Sequence, residues 1–193
     1  MMWSGVLAFV LGALAWTLLE YAIHRWLGHD ARTRPNVFES EHTQHHAAGD
    51  YFAPTGKKVA VAVAMLVVVV VPGWWLLGQV PGVAFAAGLA GCYSFYEWIH
   101  RRAHTHAPAT AYGRWVRRHH FSHHFRDPRV NFGVTSPLWD IVFGTRRAAG
   151  VIVIPRRLVM PWLLDPDAHQ IRSDFSADYA IRGAAAAPTH EAA

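Results

Sequence analysis

Three long apolar runs, separated by polar and histidine-bearing segments, organise this sequence. The first extends from Met1 to about Leu19 and continues as a mixed segment through Trp26, with Glu20 as its first charge. The second extends from Val59 to about Leu77 and contains the block Val67 to Val71, followed by Pro72 and Gly73. The third covers Val80 to about Ile99. A helix needs about 20 mainly apolar residues to cross a bilayer, so each run is long enough. A valine block favours a strand in water, but in lipid a segment must satisfy its own backbone, which predicts a helix bent at Pro72. Only Gly78 and Gln79 separate the second and third runs, which predicts a tight hairpin. The first run has no basic residue ahead of it and no small-residue cleavage signal before Glu20, so it reads as a retained membrane helix and not a secretory signal.

Charge then orients the spans. Arg25, Arg32, Arg34, Lys57 and Lys58 fall between the first and second runs, and Arg101, Arg102, Arg114, Arg117 and Arg118 follow the third. The positive-inside bias makes both regions cytoplasmic and the N-terminus external. Three crossings put every histidine cluster on one side; a fourth, short or re-entrant segment near Pro72 would alter the count. The later apolar pieces, Val151 to Ile154 and Leu158 to Leu164, are broken by Pro155, Arg156, Arg157 and Pro161 and are too short to span. They are expected either at the lipid interface or as a buried turn of the cytoplasmic part. The fold class predicted is an all-α integral membrane protein, with three to four transmembrane helices and a cytoplasmic histidine-rich helical cap. One domain is expected over 1–182, its cap drawn mainly from 24–57 and 100–182, with an alanine-rich disordered tail at 183–193.

Composition fits this picture. The 193 residues are 52% hydrophobic and include nine tryptophans, above ordinary soluble usage. One domain of this length leaves no room for a separate reductase, haem or nucleotide-binding module, so any electrons must come from elsewhere. The net charge of +5 comes from arginines beside apolar runs and among histidines, which reads as membrane flanking and not as a nucleic-acid footprint. Cys92 stands alone in an apolar run, so it is a packing residue.

The fourteen histidines are the anomaly. HRWLGH gives His24 and His29; HTQHH gives His42, His45 and His46; HRRAH gives His100 and His104; HFSHH gives His120, His123 and His124. Positions three and four apart share a helix face, so each HxxHH triplet and the His100–His104 pair can present imidazoles together. His24 and His29 are five apart and do not align on a straight α-helix, although a helix ended at Gly28 would let His29 turn back. Neutral imidazole binds zinc and mid-series transition metals, and ten nitrogens suit two ions. His106 and His119 stand just outside the regular spacing, and His169 and His190 read as ordinary surface residues. Glu20 and Glu97, four and three residues before His24 and His100, are placed to hydrogen-bond the second nitrogen of a ligating ring, and so is Asp127, which alternatively pairs with a nearby arginine.

These clusters, with FYEWIHRRAH, RRHHFSHHF and NFGVTSPLWDIVFGT, resemble the membrane fatty acid hydroxylase and sterol desaturase superfamily over about Leu19 to Thr145. The order HxxxxH, HxxHH, HxxxH, HxxHH is most similar to that of fatty acid 2-hydroxylases. The resemblance implies metal ligation by His24, His29, His42, His45, His46, His100, His104, His120, His123 and His124. It implies a di-iron centre using dioxygen, with zinc as an ion that purification can introduce. It also implies an electron donor such as a ferredoxin, cytochrome b5 or another reductase. Eukaryotic 2-hydroxylases commonly carry an N-terminal cytochrome b5 domain, whereas this chain opens almost directly on a span. In NFGVTSPLWDIVFGT, Gly133 and Gly144 permit tight turns, Trp139 and Phe143 can pack the cap, and Asp140 can tie the segment down, which is architecture before catalysis.

The expected reaction is insertion of one oxygen atom from dioxygen into an unactivated C–H bond of a long-chain membrane lipid, the other atom leaving as water. Trp26, Phe38, Phe95, Trp98, Trp115 and Phe121 are candidate walls of an acyl tunnel, and Tyr93 and Tyr96 can face substrate. Alternatives are a sterol or carotenoid hydroxylase or desaturase, a zinc hydrolase, and a membrane metal-binding or transport protein. Transport requires ionisable residues inside the spans, which the second and third runs nearly lack. Arginine-heavy usage fits a GC-rich bacterial genome, hence an inner-membrane location with the histidines facing the cytoplasm.

Overall fold

The computed structural model describes residues 2–183, so the expected tail lies, beyond Gly183, outside the described residues. The chain is largely helical, and two helical segments, Trp3–His29 and Thr55–Leu77, are long and apolar enough to cross a membrane. Helix α1 (Met2–Ala22) runs directly into a seven-residue π-helix, Ile23–His29. Helix α2 (Val37–Ala48) starts at Asn36, whose side chain accepts from the Glu39 amide, and stops at Gly49. Helices α3 (Thr55–Leu77) and α4 (Gln79–Thr105) form the expected hairpin, and Gly78 alone joins them. Its φ of 85° lies in the left-handed region that favours glycine. Helix α3 passes through Pro72 without ending.

α4 is long, but Tyr93, Ser94, Tyr96, Glu97 and several glycines dilute its hydropathy, so composition alone does not mark it as a span, contrary to the three spans expected from sequence. It packs against both neighbours. A side chain at Gly12 would collide with the Phe85 carbonyl, and one at Gly88 with the Phe9 carbonyl, so α1 and α4 cross backbone to backbone. Small residues permitting close approach are how helices associate in lipid, where the hydrophobic effect between them is absent. The pairing of early α1 with early α4, and of Trp16 with Tyr93 at 4.7 Å, makes these helices parallel. By contrast α3 buries no residue at all, and Val61, Val68 and Trp75 stand 69%, 69% and 84% exposed. An uncovered valine-rich helix has lipid as its natural solvent.

The cap consists of α2, α5 (Ala111–Phe125), the short α6 (Leu138–Val142) and a C-terminal segment. The segment adds one small sheet to the helical fold: β1 (Ile152–Pro155) pairs in parallel with β2 (Tyr179–Arg182), Ile152 opposite Tyr179. Ile152, Ile154, Leu163, Phe175 and Tyr179 are buried with Val116 and Phe121, so this segment supplies a core beneath α5, while Val151 and Val153 stay exposed. The alternation of buried and exposed residues in β1 explains why an apolar stretch too short to span becomes a strand. Arg117, buried, donates to the carbonyls of Arg102, His106 and Gly113 and ties α5 to the end of α4, where carbonyls unpaired by the helix favour a cation.

Candidate metal centre

The four histidine segments meet where the ends of α1 and α4 reach α2 and α5. The π-helix solves the spacing problem of the first segment. With i to i+5 bonding, residues five apart share a face, so His24 and His29 point together without the helix ending at Gly28. Gly28 is needed for another reason: a side chain there would press on the His42 and Phe38 rings at 3.1 and 3.2 Å.

The two HxxHH triplets do not each serve one ion. On an α-helix, i+4 lies roughly 40° to one side of i and i+3 about 60° to the other. His42 and His46 therefore turn together while His45 turns away, and His120 and His124 turn together while His123 turns away. The result is two all-histidine groups, one of His24, His29, His42, His46 and His123, the other of His45, His100, His104, His120 and His124. Within each, the ligand atoms lie within 4.8 Å of one another. Helix α2 gives two rings to the first group and one to the second, and α5 does the reverse. The groups adjoin, with His46 and His124 stacked at 4.0 Å between ring centroids.

Backbone carbonyls set the rings. His24 Nδ1 donates to the Phe132 carbonyl at 2.5 Å, His123 Nδ1 to Val130 at 2.8 Å, and His45 Nδ1 to Tyr51 at 2.7 Å. A carbonyl only accepts, so in each ring the proton sits on Nδ1 and the bare Nε2 lone pair points inward. Yet His24 Nε2 lies 2.9 Å from His123 Nε2, and His123 Nε2 lies 2.9 and 3.2 Å from the Nε2 atoms of His29 and His46. In the second group His100 Nε2 approaches His45 Nε2 to 3.0 Å and His104 Nε2 approaches His120 Nε2 to 2.9 Å. Two lone pairs facing at such a distance repel unless a cation lies between them. Nitrogens bound at about 2.0–2.1 Å to one ion and at right angles stand about 3 Å apart, so the separations fit shared ions. Both ring nitrogens of half-buried His124 are themselves buried and lack any hydrogen-bond partner, another sign of an intended ligand.

Protonation does not offer an escape. Burial holds His42, His120, His123 and His124 well below the ordinary imidazole range, helped by neighbouring histidines. Burial likewise lowers His45 to about 4 and His46 to about 2. These rings are neutral at physiological pH, the form a metal requires.

The three carboxylates expected behind the ligating rings have other partners. Glu20 accepts from the amides of Val134 and Thr135 and from the Thr135 hydroxyl at 2.6 Å, fastening the 131–135 loop to α1. Glu97 pairs with Lys58 at 2.5 Å, linking α3 to α4. Asp127 takes its alternative partner, Arg129, at 2.9 Å. The groups behind the rings are main-chain carbonyls, which leave no signature in side-chain identity. Asp140 is the residue that organises two of them. Fully buried, it accepts from Phe132 N at 2.9 Å, Gly133 N at 2.8 Å, Thr145 Oγ1 at 2.7 Å and His119 Nε2 at 3.1 Å. This bond removes His119 from the set of ligands, while His106 contacts Thr105 and also stays outside both groups.

A cavity of about 420 Å³ opens onto both groups. His24 and His42 of the first and His45 and His100 of the second reach its wall, with Trp16, Leu27, Phe38, Phe52, Met65 and Tyr96 among its largely apolar lining. Of the tunnel walls expected from sequence, Phe38 lines it, as do Tyr93 and Tyr96; Trp26, Phe95, Trp98, Trp115 and Phe121 do not.

The profile of the Fatty acid hydroxylase family matches residues 9–145, a span holding all ten clustered histidines and Asp140. The chain belongs to this family. Ceramide very long chain fatty acid hydroxylase scs7 of Schizosaccharomyces pombe is 32% identical over 144 residues, 71% of this chain and 41% of that protein. Dihydroceramide fatty acyl 2-hydroxylase FAH2 of Arabidopsis thaliana is 32% identical over 143 residues, 72% of this chain and 60% of its own. Fatty acid 2-hydroxylase of Rattus norvegicus is 35% identical over 148 residues, again 71% of this chain and 38% of its own. This chain thus spans between about two fifths and three fifths of the length of these hydroxylases. The solved structure of full-length scs7p, with only the hydroxylase domain visible, superposes with a TM-score of 0.61 at 26% identity, covering 77% of this chain and 58% of that one. Family membership and the paired histidine groups agree on a membrane-associated protein built for a di-iron centre.

Proposed function

We propose that the protein is a membrane-bound di-iron hydroxylase that inserts one atom of dioxygen into a long-chain lipid, a fatty acid or fatty acyl lipid. The observation that carries this reading is that both five-histidine groups border a single apolar cavity. The ligands are the ten histidines named above, five to each ion. When bound, the iron pair supplies the dioxygen and one-electron chemistry that side chains lack. The chain supplies the rest. Phe132, Val130 and Tyr51 carbonyls hold His24, His123 and His45 in the ligating tautomer. Trp16, Leu27, Phe38 and Met65 exclude water from the hydrocarbon and confine the acyl chain beside the imidazoles. The ion pairs Lys57–Glu41 and Lys58–Glu97 give the same cavity a polar portion where a headgroup can rest.

In this reading the chain crosses the bilayer three times, with α4 as the third span. The parallel course of α1 and α4, with α3 returning between them in sequence, brings the ends of α1 and α4 and the start of α3 to one side. The basic residues flanking those ends favour the cytoplasmic side. The test is expression in lipid bilayers with iron, labelled dioxygen and a reductant, followed by lipid mass analysis. A gain of one labelled oxygen is expected; a loss of two hydrogens would make the protein a desaturase, and full activity without metal would end the proposal.

A further inference from the structure

Next to His123, sharing no lining residue with the acyl cavity, lies a second concavity of about 600 Å³ that the lipid reaction does not use. Arg126, Arg129 and Arg147 line it, with Asp127, Ser122 and Val130. Asp127 is spent on Arg129. Arg126 donates to the carbonyls of Ala148 and Ala149, and Arg147 to those of Gly144 and Arg146 at 3.2 and 2.8 Å. Carbonyls orient a guanidinium without neutralising it; among the described residues no carboxylate comes within ion-pair distance of Arg126 or Arg147, and the one carboxylate that feels Arg147 is Asp127, already bonded to Arg129, so three arginines face a single acid. The cleft therefore carries surplus positive charge, with exposed Arg146 beside it. Its wall is also the support of a ligand ring: the Val130 carbonyl accepts from His123 Nδ1 at 2.8 Å, and His123 Nε2 belongs to the first histidine group. One hydrogen bond and one imidazole separate the cleft wall from that group.

We infer that this cleft docks the acidic face of a small one-electron carrier protein, whose electrons enter through the Val130 carbonyl and His123. The inference rests on the hydroxylase reading, because hydroxylation needs a reductant. Each turnover converts RH and O₂, with two electrons and two protons, into ROH and H₂O. The carrier supplies the electrons in two successive encounters, and solvent supplies the protons. A positive cleft suits such encounters, since opposite charge raises their rate by about 10–10³-fold and salt suppresses the gain. An anionic lipid headgroup would also suit three arginines, but would have no use for the route to His123.

The test is stopped-flow reduction of the iron-loaded full chain in nanodiscs, by a reduced acidic ferredoxin and separately by dithionite, over a series of ionic strengths. The variants are the double reversal Arg126→Glu/Arg147→Glu and the milder Arg126→Gln/Arg147→Gln, whose amides can still donate to the neighbouring carbonyls. Expected is a loss of about ten-fold or more in the ferredoxin rate at low salt, with a flattened salt dependence, while dithionite reduction and iron content match the parent. Unchanged ferredoxin rates in either variant would overturn the docking site. So would a reversal that weakens binding to phosphatidylglycerol vesicles while sparing ferredoxin reduction. Because the readout is reduction of iron and not product, failure of the docking site and failure of the hydroxylase reading are seen in separate measurements.

Discussion

Asp140 controls one histidine group and not the other, and Asp140→Asn exposes the difference. Asparagine keeps one carboxylate oxygen. Placed to accept from Phe132 N and the Thr145 hydroxyl, it leaves an NH₂ where Oδ2 now accepts from Gly133 N and His119 Nε2. His119 can shift its proton and accept, but the Gly133 amide is left buried and facing another donor. An unsatisfied buried donor costs about 1–3 kcal/mol, and losing the charge brings the total to about 2–4 kcal/mol against a typical stability of about 5–15. The consequence for metal is selective. Phe132 is held by Asp140 and holds His24, and Val130, two residues earlier, holds His123, so both affected rings lie in the first group. His45 of the second group rests on Tyr51, outside this loop. Lost orientation of ligating rings lowers metal affinity by about 10–100-fold. Elemental analysis after dialysis against a graded chelator should show the variant retaining about one ion per chain under conditions where the parent keeps two. Equal loss of both ions, or retention of both alongside a lowered unfolding midpoint, would refute the argument that this carboxylate acts through the 130–133 loop.

Other consequences are as direct. His123→Ala and His120→Ala should each reduce binding by about one ion from different groups, so the double variant should bind neither; a single substitution that empties both groups would contradict their independence. Gly88→Leu places a side chain against the Phe9 carbonyl and should separate α1 from α4, read as loss of folded protein in detergent, whereas Gly91→Leu, which meets nothing within 4 Å, should be tolerated. For the metal-free chain, burial keeps His45 and its neighbours neutral in the fold, while in the unfolded chain they take up protons near 6.5. Folded proton affinity is thus the lower of the two, so the stability is whole above about pH 6.5 and declines as pH falls toward about 4. Urea midpoints should fall between pH 7 and 5, and a rise would count against neutral, buried rings.

The spacing of histidines along the chain marked ten imidazoles as candidate metal ligands, because no solvated face demands HxxHH twice beside two spaced pairs. The apolar runs determined where the three long helices lie, and Gly78 determined a hairpin, since both depend on local pattern. Which histidines share an ion was decided only in three dimensions. Helical rotation splits each triplet between partners that the other helices bring up, and a π-helix, which no spacing rule announces, aligns His24 with His29. Tertiary contacts also assigned the carboxylates. Glu20, Glu97 and Asp127 were close in sequence to ligands, but a carboxylate bonds whatever donor reaches it: the fold brought Glu20 a loop and Glu97 the ammonium of Lys58, while Asp127 took Arg129, two residues along the chain. The rings instead lean on carbonyls of Tyr51, Val130 and Phe132, groups that every residue owns and that acquire a role only through position.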